Sequence, residues 1–158
     1  MKDIILPLFF ALVSLLTSCK KDKCDAEESA LVASAAEIST IQNHLTTNSI
    51  SATQHSSGLF YTIINEGSGN SPSLCASVTV KYKGTLLNGT VFDESAGNTS
   101  FILKNLIVGW QKGIPLIKKG GKIKLYVPPS LGYGSASQSG IPGNSTLIFD
   151  IDLVGVVE

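Results

Sequence analysis

The sequence lacks an apolar run long enough to cross a bilayer. It has 158 residues, and its most apolar stretch, Ile4–Leu16, is shorter than the ~20 residues that a transmembrane helix needs. Charge is also scarce. Twelve basic and twelve acidic residues cancel to a formal net charge of zero, which argues against the basic surface of a nucleic-acid-binding protein. With no internal repeat, these features predict one domain and a tether.

Groups for bond-breaking chemistry are few as well. The two histidines, His44 and His55, have no companions at metal-ligand spacing, so we expect no metal site and no cofactor. There is no nucleophile–base pair and no phosphate-binding loop. Residues 132–134, Gly-Tyr-Gly, are not a dinucleotide motif because the strand–turn–helix setting is missing. These absences are consistent with a protein that breaks no covalent bond in its substrate.

Residues 1–18 are predicted to be a lipoprotein signal peptide. Ile4–Leu16 has the length of a signal-peptide hydrophobic region, and residues 16–19, Leu-Thr-Ser-Cys, resemble the lipobox of bacterial lipoproteins. That resemblance implies that Cys19 becomes the first mature residue and carries a lipid anchor. The alternative is an ordinary secretory signal and a free Cys19. In Gram-negative lipoproteins, Asp at the position after the lipidated cysteine favours retention in the inner membrane. This chain has Lys20 at that position, which favours the outer membrane of the cell envelope.

Two segments are expected between the anchor and the main domain. Residues 19–27 are polar and charged and predict a lipidated tether. Residues 28–57 predict an N-terminal helix, Glu28–Leu45, followed by a linker. The helix has an apolar stripe made of Leu31, Ala35, Ile38, Ile41 and Leu45. We expect it to pack on its own chain in a monomer; the alternative is pairing with a second copy.

Two cysteines, Cys24 and Cys75, remain after processing. An exported compartment is oxidising and the number is even, which favours a disulfide. Two free thiols are the equally weighted alternative, because sequence alone does not show that a cysteine in the tether meets one in the domain.

The main domain, residues 58–158, is organised around Val78–Ser95. Apolar and polar residues alternate up to Tyr82, and Asn88-Gly89 then predicts a tight hairpin turn. Phe92 and Asp93 follow the turn, so the hairpin is expected to bring them close to Tyr82. The group is either part of a site or a core Tyr and Phe beside a solvated Asp.

Alternating apolar residues predict the rest of a sheet. Further strands are expected at 58–64, 122–127 and 146–156. The second of these should point Ile123, Leu125 and Val127 inward and Lys122, Lys124 and Tyr126 outward. The third should place Leu147, Phe149, Ile151 and Leu153 on one face. Ile107–Ile114 forms only a short helix, because Gly113 and Pro115 break it. The pattern predicts an α+β fold in which a twisted antiparallel sheet of about five strands wraps one short helix.

Four separated motifs, in order and spacing, closely resemble the FKBP-type peptidyl-prolyl cis/trans isomerases. They are VTVKYKGTLLNGTVFDES (78–95), FILKNLIVGW (101–110), KKGGKIKLYVPPSLGYG (118–134) and GIPGNSTLIFDIDL (140–153). The resemblance extends from residue 58 to residue 158. It implies a strongly twisted sheet around a central helix, a pocket between them, and isomerisation of X–Pro bonds in proline-containing polypeptides.

The resemblance also implies roles for the residues of the pocket. Trp110 would be the floor under the prolyl ring, while the N–H of Ile107 and the hydroxyl of Tyr133 would bind substrate carbonyls. Asp93, held by the Tyr82 hydroxyl, would shape the field of the pocket and would not transfer a proton. The other substrate-binding residues would be Phe92, Phe101, Leu106, Ile141 and Phe149. Immunosuppressant macrolides are candidate inhibitors by the same resemblance.

One departure from the family pattern affects the functional prediction. The loop that commonly reads Ile-Pro-Pro-Asn is Ile-Pro-Gly-Asn at 141–144, and we expect Gly143 to loosen it. The favoured prediction is a lipid-anchored isomerase that assists folding of exported proteins. The alternatives are a module that binds proline-containing or hydrophobic segments without useful turnover, and a structural envelope lipoprotein that uses the domain as a spacer.

Overall fold

The computed structural model describes residues 24–158. The predicted signal peptide (1–18), Cys19 and the first part of the tether lie outside the described residues. The helices are α1 (Ala35–Thr47) and α2 (Val108–Gly113). The strands are β1 (Thr53–Gln54), β2 (Phe60–Asn65), β3 (Ser77–Leu86), β4 (Val91–Glu94), β5 (Thr99–Ile102), β6 (Lys122–Val127) and β7 (Leu147–Val157). Single 3₁₀ turns lie at Leu103–Asn105, Ile114–Leu116 and Pro129–Leu131.

The strands form one antiparallel sheet in the order β1-β2-β6-β7-β3-β4, and β5 also pairs with β3. The predicted α+β class and antiparallel sheet are confirmed. The sheet has seven strands where about five were expected. The two additional ones, β1 and β5, have two and four residues and are too short to show a period of two in the sequence.

The short helix α2 packs against β6 on one face of the sheet. Its glycines permit a close approach: a Cβ on Gly109 would lie 2.5 Å from a Val127 methyl, and one on Gly113 would lie 2.6 Å from a Leu125 methyl. The four alternate residues of β7 that were predicted to share one face are all buried in this core. They are Leu147, Phe149, Ile151 and Leu153.

The opposite face of the sheet is covered by α1. Ile41 and Leu45 of the helix pack with Phe60 of β2 and Tyr126 of β6 in a second cluster. The predicted outward, wet position of Tyr126 is therefore wrong: its side chain is 1% exposed. It does lie opposite its inward neighbours, as alternation requires, but the helix covers that face. The expected packing of the helix on its own chain is confirmed.

Helix α1 begins at Ala35, and the predicted start at Glu28 is wrong. Ser34 is the N-cap: its hydroxyl accepts from the Glu37 N–H at 3.3 Å, and its own N–H donates to the Glu37 carboxylate at 2.7 Å. This reciprocal capping box fixes the start of the helix. Leu31, which was predicted on the apolar stripe, lies before the helix and is 52% exposed.

Residues 24–34, called the N-terminal strap below, belong to no helix or strand. A disulfide joins Cys24 to Cys75 with a Cα–Cα distance of 5.6 Å. Further along, the Lys112 ammonium binds the Glu28 carboxylate at 2.9 Å and the Ser29 carbonyl oxygen at 2.7 Å. Of the two alternatives for the cysteines, the structure contains the disulfide. In residues 24–158, no helix is long and apolar enough to span a bilayer.

Candidate functional site

The β3–β4 hairpin carries the first part of the site. Leu86 and Thr90 close a three-residue loop, in which Gly89 has a positive φ of 85° and the Asn88 side chain accepts from the Thr90 N–H at 3.0 Å. The loop is one residue longer than the tight turn that was predicted, and only its glycine needs the left-handed conformation. The expected juxtaposition is confirmed: the Tyr82 hydroxyl donates to the Asp93 carboxylate at 2.6 Å.

Trp110 of α2 lies at the centre of an aromatic box. The rings of Tyr82 and Phe149 each have their centroid 5.2 Å from that of the indole, at interplanar angles of 80° and 88°. Phe101 is 6.3 Å away at 87°, and Phe92 packs edge-on against Phe149 at 5.5 Å. Edge-to-face contacts of this kind are favourable. They place three rings as walls roughly perpendicular to an indole floor.

These rings enclose part of a cavity of about 170 Å³. Nine of the ten predicted site residues line it: Tyr82, Phe92, Asp93, Phe101, Leu106, Ile107, Trp110, Tyr133 and Phe149. Ile141 does not line it but is buried in the adjoining core with Trp110 and Phe149. The volume is below the ~300–1,000 Å³ typical of drug-sized ligand sites, so the cavity suits one small apolar ring.

Three polar hydrogens at the cavity have no acceptor among residues 24–158. They belong to the Ile107 backbone N–H, the Tyr133 hydroxyl and the buried Trp110 indole N–H. The Ile107 carbonyl, by contrast, accepts from the N–H groups of Trp110 and Gln111 at 2.9 and 3.2 Å. Of the three, the Trp110 indole N–H is fully buried, and a buried donor without a partner costs about 1–3 kcal/mol. The Tyr133 side chain is 39% exposed, so its hydroxyl is accessible to a ligand.

The titration of the tyrosines follows from this setting. Burial, followed by the hydrogen bond to Asp93 and its charge, raises the pKa of Tyr82 to about 12. Burial and the more distant Asp93 charge also raise the pKa of Tyr133. Both phenols are therefore neutral donors over the whole physiological pH range.

Gly84 shapes the site, and sequence reasoning assigned it no role. It lies on β3 opposite Phe149 and Asp93. A Cβ there would lie 2.5 Å from the Phe92 ring and 3.1 Å from the Phe149 ring. The absence of a side chain therefore lets two wall rings lie over the strand. A glycine in the middle of an alternating strand marks such a close approach and could have identified this position.

The loop that follows Tyr133 is closely packed around Gly143, and the effect of this glycine on the mobility of the loop stays a prediction. A Cβ on Gly143 would collide with the Ser135 carbonyl oxygen. The Gly143 N–H donates to the Ser137 hydroxyl at 3.1 Å, and the Asn144 N–H donates to the Gly134 carbonyl at 2.8 Å. Glycine is the residue that permits these contacts.

The site offers an apolar box, neutral donors and one carboxylate at its edge. No cluster of three or more histidines, cysteines or acidic residues that could hold a metal ion exists in the described range. The carboxylate of Asp93 accepts from a tyrosine hydroxyl, and among the described residues no serine, threonine, cysteine, lysine or histidine lines the cavity. The arrangement is suited to holding a small ring and the carbonyl groups next to it.

Comparisons with known proteins agree with this geometry. Residues 69–154 match the model of the FKBP-type peptidyl-prolyl cis-trans isomerase family. The chain is 51% identical over 105 residues to the FKBP-type peptidyl-prolyl cis-trans isomerase FkpA of Buchnera aphidicola, which covers 65% of this chain and 44% of the relative. It is 44% identical over 103 residues to the peptidyl-prolyl cis-trans isomerase Mip of Coxiella burnetii, covering 63% and 45%.

A solved structure shows the same likeness. The crystal structure of FkpA from Escherichia coli superposes with a TM-score of 0.70 at 41% identity, covering 77% of this chain and 60% of that one. The fold and the aromatic box therefore define a prolyl-isomerase type of domain. The chain belongs to the FKBP-type peptidyl-prolyl cis-trans isomerase family. It spans less than half the length of the curated relatives described above.

Proposed function

We propose that this protein is a peptidyl-prolyl cis/trans isomerase that acts on exported polypeptides from a lipid anchor on Cys19. The observation that supports the activity is the Trp110 floor with three perpendicular rings around it and the free Ile107 N–H beside it. An aromatic box of this size accepts a prolyl ring. We propose that the free donors bind the carbonyl groups on either side of that ring.

The proposed mechanism lowers the barrier to rotation without covalent chemistry. Rotation about an X–Pro bond crosses roughly 18–20 kcal/mol, because amide resonance is lost in the twisted state. The twisted imide has less charge separation than the planar one, so a dry aromatic surface favours it. The box fixes the prolyl ring while the preceding residue rotates. Donors placed for the twisted carbonyl stabilise it further.

The residues have distinct roles in this proposal. Trp110 supports the prolyl ring from below, while the Ile107 N–H and the Tyr133 hydroxyl bind substrate carbonyls. Asp93 keeps the Tyr82 hydroxyl oriented and gives the edge of the box a negative charge. The walls are Phe92, Phe101, Leu106 and Phe149, and Ile141 supports them from the core. Macrolide inhibitors are proposed to compete for the same box.

We also propose how the chain is divided and where it acts. Residues 58–158 form the isomerase domain, residues 28–57 the N-terminal helix and linker, and residues 19–27 the lipidated tether at the cell envelope, at the outer membrane of a Gram-negative bacterium. If Cys19 carries the anchor, Cys19→Ala will release the protein from the membrane fraction. Persistence of this variant in that fraction after a high-salt wash would contradict the lipoprotein assignment.

The activity is tested by NMR exchange on a tetrapeptide with a central Leu-Pro bond. The protein would begin at Lys20, with Trp110→Ala and Phe92→Ala variants checked for folding. Faster cis/trans exchange that folded variants lose supports an enzyme with its site in the box. Peptide-dependent shift changes without faster exchange would indicate the binding module, and neither signal would indicate the structural role.

A further inference from the structure

Gln111 of α2 connects the helix to the segment that precedes it. Its side-chain amide nitrogen donates to the Leu106 carbonyl oxygen at 2.7 Å and to the Lys104 carbonyl oxygen at 3.1 Å. Its backbone N–H donates to the Ile107 carbonyl oxygen at 3.2 Å. Both side-chain partners can only accept, so the amide nitrogen must face them and both of its hydrogens are used.

The contact at Leu106 determines the orientation of the free donor in the cavity. The Leu106 carbonyl and the Ile107 N–H are the two ends of one peptide unit. That unit is planar and trans, since the described chain contains no cis peptide bond, so its C=O and N–H point in opposite directions. A bond that holds the carbonyl on the Gln111 side therefore holds the N–H on the other side. Leu106 and Ile107 both line the aromatic cavity.

The same contact makes the free N–H a better donor. A hydrogen bond accepted by the carbonyl of an amide polarises the unit, and bonds in such a chain strengthen one another by ~10–30%. Gln111 itself does not line the aromatic cavity; it lines a separate groove with Lys112 and Leu116. Its influence on a bound peptide must therefore pass through the Leu106–Ile107 peptide unit.

We infer that Gln111 is a positioning residue for the reaction: it orients and polarises the Leu106–Ile107 peptide so that the Ile107 N–H binds a substrate carbonyl. This inference rests on the proposed function. The inference goes beyond that function by adding a residue outside the cavity whose amide group controls a donor inside the cavity. A purely structural Gln111 would hold residues 104–107 in place without affecting how the donor binds peptide.

The test compares Gln111→Met with the unmodified protein. Met has similar length and helix propensity but no donor. The matched control is Gln42→Met on α1, an exposed glutamine far from the site. The readouts are the unfolding midpoint, the separate kcat and KM for the Leu-Pro tetrapeptide, and the amide ¹H–¹⁵N shift of Ile107 with and without peptide.

The expected result is a loss specific to Gln111→Met. Its kcat/KM should fall about three- to tenfold, the size of one net hydrogen bond, and its Ile107 amide should shift less on peptide binding. Gln42→Met should match the unmodified protein. Unchanged kcat/KM in a folded Gln111→Met protein would overturn the inference. So would a loss matched by shifts throughout the cavity residues, because that pattern reports general disorder.

A measurement on the unmodified protein keeps the inference testable if Gln111→Met does not fold. Saturating peptide should move the Ile107 amide proton downfield while the Gln111 side-chain NH₂ signals stay protected from exchange; an unmoved Ile107 amide would contradict the inference. Failure of the proposed function is a different result. A protein that binds the peptide through Ile107 without faster isomerisation keeps the role of Gln111 and loses only the enzymatic proposal.

Discussion

Tyr82 and Asp93 form the most polar contact of the site. The hydroxyl donates to the carboxylate at 2.6 Å, and burial together with that carboxylate raises the pKa of Tyr82 to about 12. Tyr82 thus stays a neutral donor, and one carboxylate oxygen is occupied as its acceptor. This contact is the basis of the proposal that Asp93 acts on the shape and field of the box and not as a base.

The pKa of Tyr82 gives a prediction for Asp93→Asn. Removing the charge should lower the pKa of Tyr82 from about 12, but it should stay above the ordinary value of ~10, because burial is the larger cause. The ring Cζ signal of Tyr82, assigned with Tyr82→Phe and followed by ¹³C NMR against pH, measures this. A titration identical to that of the unmodified protein would show that Asp93 does not control this group.

The raised pKa of Tyr82 also makes the free energy of unfolding depend on pH, and linkage gives the direction of that dependence. Folding raises the pKa of Tyr82, so between the unfolded and folded values the unfolded state binds fewer protons than the native state. The contribution to the free energy of unfolding is complete below pH ~10. It is lost as pH rises towards 12. Asp93→Asn should narrow the pH range between the unfolded and folded pKa values of Tyr82, over which this contribution is lost.

Turnover gives a second prediction at Asp93. Asp93→Ala removes the acceptor of the Tyr82 hydroxyl and should reduce kcat/KM about tenfold, the equivalent of ~1.4 kcal/mol, with a fold that near-UV circular dichroism reports as intact. The exposed position of Asp93 means that little packing is lost. Wild-type turnover in the folded variant would remove Asp93 from the mechanism.

At the scale of elements, β3, β4 and β7 meet where Gly84 leaves space for two rings. Gly84→Ala should push the Phe92 ring, 2.5 Å from the new Cβ, out of its wall position. Overpacking of this kind typically costs about 1–3 kcal/mol. We expect a lower urea midpoint and weaker peptide binding. Both are measurable by fluorescence of the single tryptophan.

A matched control is available in the same part of the chain. Gly97 has no positive φ, and a Cβ added to it would have open space around it, with no atom beyond the adjacent residues within 4 Å. Gly97→Ala should therefore leave the urea midpoint and peptide affinity unchanged. Equal behaviour of the two alanine variants would mean that the Phe92 ring adapts without cost. The space over Gly84 would then be incidental.

The elements also show what sequence can and cannot predict. Alternation in β7 predicted its buried face because each strand residue has only two sides to choose from. The same reasoning placed Tyr126 in water, because nothing in residues 122–127 shows that α1 covers the other face. Similarly, the apolar stripe suggested a helix from Glu28, whereas the Ser34–Glu37 capping box decides the start.

The residues of the site were predicted in two different ways. The β3–β4 turn residues alone brought Tyr82 to Asp93, while the remaining lining residues were identified by resemblance to a family. Sequence reasoning missed Gln111, whose amide bonds to carbonyls five and seven residues earlier, and Gly84, whose missing Cβ leaves space for rings from two other strands. The Gln111 contact has no local sequence pattern, whereas the glycine in the middle of a strand was a signal that could have identified Gly84.

On the scale of the whole molecule, the N-terminal strap contacts both layers of the domain. The disulfide joins it to Cys75, which precedes β3, and Lys112 binds it to α2. Its end leads into α1, where the Glu37 carboxylate accepts from the Ser130 N–H at 2.8 Å. Burial alone would raise the pKa of Glu37, but the N–H donors of Ser34 and Ser130 outweigh it and lower that pKa.

The disulfide should contribute most of the strap's effect on stability. It closes a loop with a sequence separation of 51 residues, and constraining the unfolded chain over a loop of this size stabilises by about 2–4 kcal/mol. The Cys24→Ser/Cys75→Ser protein should therefore unfold at a lower urea concentration. The oxidised and reduced forms of the unmodified protein, measured in parallel, provide the control, and the reduced form should match the double variant.

Measuring kcat/KM distinguishes the effect of the disulfide on stability from an effect on the aromatic site. Neither cysteine lines the aromatic cavity, so the double variant should keep the kcat/KM of the unmodified protein at temperatures where both are folded. Equal urea midpoints for the oxidised protein and the double variant would show that Glu28–Lys112 and the other strap contacts already hold the segment. A fall in kcat/KM without a fall in midpoint would instead mean that the strap acts on α2, and through it on the Trp110 floor.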